Sequence, residues 1–193
     1  MDRFLKRPRE DEQDAQETPN KSNKDLESTI VDYVLEHADY GERGRINTRG
    51  PKRKILQMGK QYYWKNKALP FESLPSCFEE FATKHGVKDF NSILCNVYME
   101  RQSRIGLHSD NTSLLKPNQG TVKSISLAIH ARDRDRRLAV MMFQARDGSV
   151  ETHDLLHNTC ITFDAHQDGN SGRKHEVKKT EYPRLNLTYR HLK

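Results

Sequence analysis

No run of about 18 consecutive apolar residues occurs anywhere in the 193-residue chain, so no segment reads as a membrane span. The segment Met1–Glu12 contains no apolar stretch of the kind a secretory signal needs. Cysteine is scarce: Cys77, Cys95 and Cys160 are too few and too scattered for a disulfide scaffold or a cysteine-based zinc site. An intracellular, reducing setting, nucleus or cytoplasm, is therefore expected, with no membrane partner. Heptads, internal repeats and collagen-like periods are also missing. What is left is an ordinary globular chain, expected to act as a monomer.

Apolar residues make up 34% of the chain and charged residues 31%, which is polar for a packed domain yet too apolar for disorder throughout. With 33 Lys and Arg against 27 Asp and Glu, the net charge is +6. A basic chain favours polyanionic partners, nucleic acid first among them. The first 25 residues hold six Lys or Arg, seven Asp or Glu and only four apolar residues. Such a stretch cannot bury enough surface to offset its ordering entropy and reads as a tail. The positive charge therefore belongs to residues 26–193, a length that suits one domain.

From Asp25, the spacing of Leu26, Ile30, Tyr33 and Val34 predicts a helix capped by Asp25 or Ser28. A basic, Gly-containing segment follows over 41–60, then the aromatic cluster Tyr62, Tyr63 and Trp64. Residues 71–84 read as a second helix, with Cys77, Phe78 and Phe81 on its apolar side. After Phe90 the texture is β: runs over 92–99, 123–130, 138–144, 158–164 and 184–189 are rich in Ile, Leu, Val, Phe and Thr. Turn sequences such as Lys116–Gly120 and Arg146–Gly148 separate them. Short strands at this spacing suggest a sandwich or barrel. The dense charge run Arg132–Arg137 reads as a solvated turn.

In the last run, alternation places Leu185, Leu187 and Tyr189 on one face and Arg184, Asn186, Thr188 and Arg190 on the other. A strand with a polar face is commonly an edge or surface strand. The same face can instead line a polar cavity, where two arginines grip a small dicarboxylate through forked hydrogen bonds. His-x-Asp occurs three times, as His37/Asp39, His108/Asp110 and His166/Asp168, so the spacing alone decides nothing. His37 falls at a helix end, where residues two apart diverge. His166 and Asp168 lie in a Gly-containing stretch read as a solvated loop. His108 and Asp110 follow an apolar run, and in an extended segment they share a face. His175, in the strand-like run 175–177, is the best second histidine for a two-His-one-carboxylate face of the kind that binds iron(II).

Taken in order, Asn96-Val-Tyr98, His108-Ser-Asp110, His175 and Arg184-x-Asn186-x-Thr188-x-Arg190 resemble the AlkB family of Fe(II)- and 2-oxoglutarate-dependent dioxygenases. The resemblance spans roughly residues 46–190, clear in the back half and faint in the front. It implies an α+β, mainly β fold: a double-stranded β-helix (jelly-roll) core with N-terminal helices and a nucleotide-recognition lid. It implies that His108, Asp110 and His175 hold iron. Arg184, helped by Tyr98 and Asn186, would pair with the far carboxylate of 2-oxoglutarate, and Asn96 and Arg190 would lie nearer the metal-chelating end. The implied reaction uses O2, turns 2-oxoglutarate into succinate and CO2, and removes an N-alkyl group from a base in DNA or RNA as formaldehyde.

By the same resemblance the front segment is the lid. Arg53 and its basic neighbours would touch phosphates, while Tyr62, Tyr63 and Trp64 stack on a flipped base. The run Asp110-Asn-Thr-Ser carries no further carboxylate, where many family members have acids that read the damaged base. Arg3, Phe4, Leu5 and Arg7 match a short sliding-clamp-binding motif, although Lys6 stands where an aliphatic residue is expected, and Lys6–Arg9 reads equally as a nuclear-import signal. Two other functions fit the same residues: a protein hydroxylase or demethylase of the same superfamily, and a nucleic-acid-binding module without catalysis.

Overall fold

The computed structural model describes residues 25–40, 53–62, 74–101 and 103–193. The tail with its clamp-like motif, most of the basic segment, and Tyr63 and Trp64 of the lid lie outside the described residues. Helix α1 spans Leu26–His37, and the Asp25 carboxylate accepts from the Ser28 amide at 2.7 Å, capping it as the sequence predicts. Asp25, placed in the tail by composition, thus belongs to the folded unit. Helix α2 runs Ser76–Lys84, after the non-helical Leu74 and Pro75, while 71–73 lie outside the described residues. Pro75 sits at its N-cap position, as suits a residue with no amide hydrogen and a preset φ.

Strands β1 (Asp39–Tyr40), β2 (Lys54–Gly59), β3 (Ser92–Tyr98), β5 (Thr121–Ala128), β8 (Thr159–Asp164) and β10 (Arg184–Arg190) form one antiparallel sheet in the order β1-β2-β3-β10-β5-β8. Strands β4 (Ile105–His108), β6 (Ala139–Gln144), β7 (Val150–Leu155) and β9 (Lys174–Val177) form a second in the order β4-β9-β6-β7. The two antiparallel sheets, with few helices, make a mainly β jelly roll. Among the described residues no helix is long and apolar enough to cross a membrane.

β10 is not an edge strand. It pairs with β3 on one side and β5 on the other, and all seven of its residues are buried. Leu185, Leu187 and Tyr189 pack with Ile30, Val34, Phe78 and Phe81 of the helices against the outer face of the large sheet. Its polar face is therefore turned to the space between the sheets, where a second core of Val122, Met141, Phe143, Ile161, Phe163 and Val177 lies.

Two further readings are corrected. The stretch expected to be a solvated loop around His166 and Asp168 is a short helix, α3 (Ala165–Ser171). Its start is fixed by the Asp164 carboxylate, which accepts from the amides of His166 and Gln167, and Asp168 is buried. The run Arg132–Arg137 is a turn, but a tethered one. Arg134 pairs with Asp25, Arg137 pairs with Glu181, and Asp133 is buried. Strands β2 and β7 were not evident in the sequence. β2 begins inside a basic run, and β7 is a largely exposed edge whose residues alternate without apolar contrast.

Candidate metal centre

β4 and β9 are neighbours, and their register sets His108 directly opposite His175. The pairing is irregular between Ile105 and His108, a local break of the kind that re-aims side chains at functional sites. Within it, His108 Nδ1 lies 2.8 Å from the carbonyl of Gly106. A carbonyl only accepts, so Nδ1 carries the proton and the Nε2 lone pair is free for a ligand. On the other side, α3 ends at Gly172, whose φ of +74° suits a residue without Cβ. The chain reverses there, three residues before His175, and enters β9 at Lys174. Ser109 Oγ donates to the carbonyl of Arg173 at 3.3 Å, joining the two ligand-bearing segments.

The ligand atoms of His108, Asp110 and His175 lie within 4.8 Å of one another. The two imidazole rings are 4.4 Å apart, and Phe163 and Phe143 pack on His175 at 5.0 and 5.7 Å. Burial, reinforced by the positive charges of His108, Arg190 and Arg173 and opposed by Asp110, pushes His175 down to about 4. At neutral pH it is an uncharged imidazole, the form that ligates metals. Burial alone would raise Asp110. The Arg190 guanidinium, with His175 and His108, outweighs it and holds the carboxyl below its ordinary value. Two imidazoles and one carboxylate on a common face fit iron(II) and leave coordination positions for other ligands.

A cavity of about 270 Å³ opens beside this set. Its lining includes Asn96, Asn186, Thr188 and Arg190 from the polar faces of β3 and β10, with Ile105, Met141, Phe163 and Val177 as apolar walls. Asn186 faces Asn96 across the strands. The Asn186 amide donates to Ser124 Oγ at 2.8 Å and to the carbonyl of Ile125 at 3.2 Å, and accepts from Thr188 Oγ1 at 2.9 Å. The Asn96 side-chain oxygen is buried without a hydrogen-bond partner among the described residues.

One step further along the same face of β10 is Arg184, opposite Tyr98 in register. It is fully buried, with its guanidinium carbon 4.0 Å from the centre of the Tyr98 ring. Among the described residues, its Nε and both Nη atoms have no hydrogen-bond partner. Burial pulls its pKa down, with Tyr98 opposing. A buried guanidinium whose donors are unused calls for an anion, and a carboxylate matches its fork. Arg184 itself does not line the cavity; Asn96 and Asn186 stand between it and the metal donors.

The structure thus brings together His108, Asp110 and His175, places Asn96, Asn186 and Arg190 on the cavity, and sets Arg184 and Tyr98 behind it. Arg53 and Tyr62 also reach the cavity. The Tyr62 ring lies 4.1 Å from the Arg190 guanidinium, and its hydroxyl accepts from the Asn111 amide at 3.1 Å. Sequence reasoning missed the walls Met141 and Phe163 and the hydroxyl of Ser124. The first two sit at alternate positions of β6 and β8, a pattern visible only once the buried face of each strand is known.

No family model matches the sequence, and no curated protein matches it. Solved structures do match in fold. A prolyl-4-hydroxylase from Pseudomonas putida aligns with a TM-score of 0.52 at 11% identity, covering 86% of each chain. An oxidoreductase of the 2OG-Fe(II) oxygenase family from Burkholderia pseudomallei aligns at 0.51 and 12%, covering 84% of this chain and 76% of its own. A prolyl hydroxylase from Trichoplax adhaerens, in complex with a hypoxia-inducible-factor peptide, aligns at 0.50 and 15%, covering 86% and 76%. At these identities the likeness is one of fold.

Proposed function

We propose that this protein is an Fe(II)- and 2-oxoglutarate-dependent dioxygenase that removes N-alkyl groups from bases of DNA or RNA. The observation that carries the oxygenase reading is the pairing of a His108–Asp110–His175 donor set with a buried guanidinium, Arg184, that lies behind the cavity on the same face of β10 and has no hydrogen-bond partner among the described residues. The fold of the 2OG-Fe(II) oxygenases named above supports it. Iron(II) bound there, with 2-oxoglutarate and O2, supplies the oxidation: the cosubstrate leaves as succinate and CO2, and the N-alkyl carbon is hydroxylated and lost as formaldehyde.

The chain's own residues bind, orient and exclude water. Arg184 takes the far carboxylate of the diacid, with the Tyr98 ring against its other side. Arg190 fixes the Asp110 carboxylate, and the Gly106 carbonyl fixes the tautomer of His108. Ile105, Met141 and Phe163 keep that end of the cavity apolar, which strengthens each electrostatic contact inside it.

Nucleic acid as the substrate is supported by the Arg184-x-Asn186-x-Thr188-x-Arg190 pattern, by the net charge of +6, and by Arg53 and Tyr62 on the cavity. The prolyl hydroxylases among the structural neighbours favour a second reading, hydroxylation of a peptide. Mass spectrometry of oligonucleotides bearing different N-methyl bases, with and without 2-oxoglutarate, decides between them. Loss of one methylene from a base, with succinate and formaldehyde formed, is expected. Unaltered oligonucleotides together with oxygen gain on a proline-containing peptide would establish the second reading.

A further inference from the structure

Outside the metal centre, the structure holds a second, open concavity of about 540 Å³ on the other side of the small sheet. Its wall residues are neighbours of the metal donors: Leu107 precedes His108, and Lys174 precedes His175. Alternation along β4 and β9 turns these two side chains away from the cavity into which the histidines point. Gln144, opposite Lys174 in register, and Arg146, in the β6–β7 turn, continue the wall, and Asn170 and the glycines near it close the far side.

Two properties give this groove a chemical preference. First, its charge is of one sign. Lys174 and Arg146 are both exposed, and among the described residues no carboxylate lines the groove. Of the acids near it in sequence or register, Asp147 accepts from the Ser149 amide at 2.9 Å, Glu176 pairs with Lys178, and Glu151 and Asp168 pair with Arg173. Second, it sets an apolar surface beside the cations. The Arg146 stem lies at van der Waals distance from Gly172, and Leu107, 41% exposed, offers an apolar ledge between the polar groups. Two cations, two amides and an apolar ledge match a chain that alternates phosphates with bases.

We infer that this groove binds the phosphodiester backbone of the substrate strand on one flank of the target nucleotide. The inference rests on the nucleic-acid reading above and adds where the strand runs. The groove and the metal donors share the ends of β4 and β9, so a strand held there delivers its neighbouring nucleotide to the mouth of the site. Lys174 and Arg146 contribute affinity without sequence preference, because phosphates carry no base identity.

Fluorescence anisotropy of a labelled single-stranded oligonucleotide bearing an N-methylated base, titrated at several salt concentrations, tests the groove. Lys174→Ala and Arg146→Ala together are expected to weaken binding about tenfold at low salt and to flatten the plot of log affinity against log salt by about 0.7 per cation removed. Lys88→Ala, which removes one positive charge from an exposed site outside the groove, leaves the slope near that of the wild type. In the wild type, affinity is also expected to rise as the strand is lengthened beyond the modified nucleotide.

Equal affinity and slope in the groove variants and the wild type overturn the assignment. Displacement of the oligonucleotide from the groove by poly-glutamate at equal charge concentration also overturns it, in favour of an acidic protein partner. Wild-type turnover of a methylated nucleoside, measured separately, reports on the dealkylation reading alone. Turnover with no length dependence of binding removes the groove and keeps the reading.

Discussion

Arg190 and Asp110 form a buried ion pair, Nη2 to Oδ2 at 3.0 Å, with side chains 6% and 5% exposed. The pair joins the last residue of β10 to a member of the metal donor set, so one strand carries both the cation behind Asp110 and, at its other end, the cation waiting for a diacid. Arg190→Met leaves the Asp110 carboxylate buried without a counter-charge. A loss of about 3–5 kcal/mol in stability is expected for the metal-free protein. Added Mn(II) should restore part of it, since a divalent ion at the donor set replaces the lost positive charge. Thermal denaturation with and without Mn(II) measures both effects, and a metal-independent loss would detach Arg190 from the site.

Arg184 gives the opposite signature. Its guanidinium is buried, and its donors meet no hydrogen-bond partner among the described residues. An uncompensated buried charge is costly, so an apolar side chain of similar length in its place removes that cost. Arg184→Met is therefore expected to raise the melting temperature of the ligand-free protein. The same variant should lose the stabilisation that 2-oxoglutarate gives the wild type. Equal stabilisation of both proteins by 2-oxoglutarate would place the diacid elsewhere.

Acid should loosen α1 first. Burial would raise Glu27, but Lys84, whose ammonium lies 2.6 Å from it, and Asn158 prevail and hold the carboxyl below its ordinary value. The hydrogen bonds from Arg134 and Ser28 hold Asp25 well below the usual carboxylate range. Depressed folded-state values mean that these groups contribute stability above the ordinary carboxyl range, and that it is lost as pH falls through the folded-state values. The urea midpoint should drop as pH falls from about 5 towards 3, the region where unfolded carboxyls take up protons. Glu27→Gln should flatten the upper part of that fall. An unchanged slope would show that Glu27 does not hold the helix.

Interior packing of β10 offers a further check. Leu187 is fully buried against the helices, on the face opposite Thr188 and Asn186. Leu187→Ala is expected to cost about 2–5 kcal/mol in urea unfolding. With the fold intact, Mn(II) affinity should stay near the wild-type value, because the metal donors are on the other sheet.

Much of this was legible in the sequence, for reasons that differ by element. β3, β6, β8 and β10 were visible because alternation of Leu, Ile, Val and Phe with polar residues marks a strand whichever sheet it joins. The place of β10 was not visible: its polar face looks like a solvated edge until β3 and β5 are known to flank it, and then the same polarity becomes the lining of a cavity. His108 and Asp110 stood out from two other His-x-Asp pairs by the extended segment before them. His166 and Asp168 were misread as a loop because glycine outweighed the Asp164 cap that starts α3. The Arg190–Asp110 pair joins residues 80 positions apart, and no local pattern announces it.

The most direct measurement is anaerobic calorimetric titration of Mn(II), as a stand-in for iron(II), into the wild type and into His108→Ala, Asp110→Ala and His175→Ala, each checked for folding by circular dichroism. One ion per wild-type chain is expected, with binding weakened at least about tenfold by each substitution, as loss of a ligand is at least as damaging as loss of the groups that orient it. Wild-type-like binding in any of the three folded variants would contradict the convergence of these side chains on one ion.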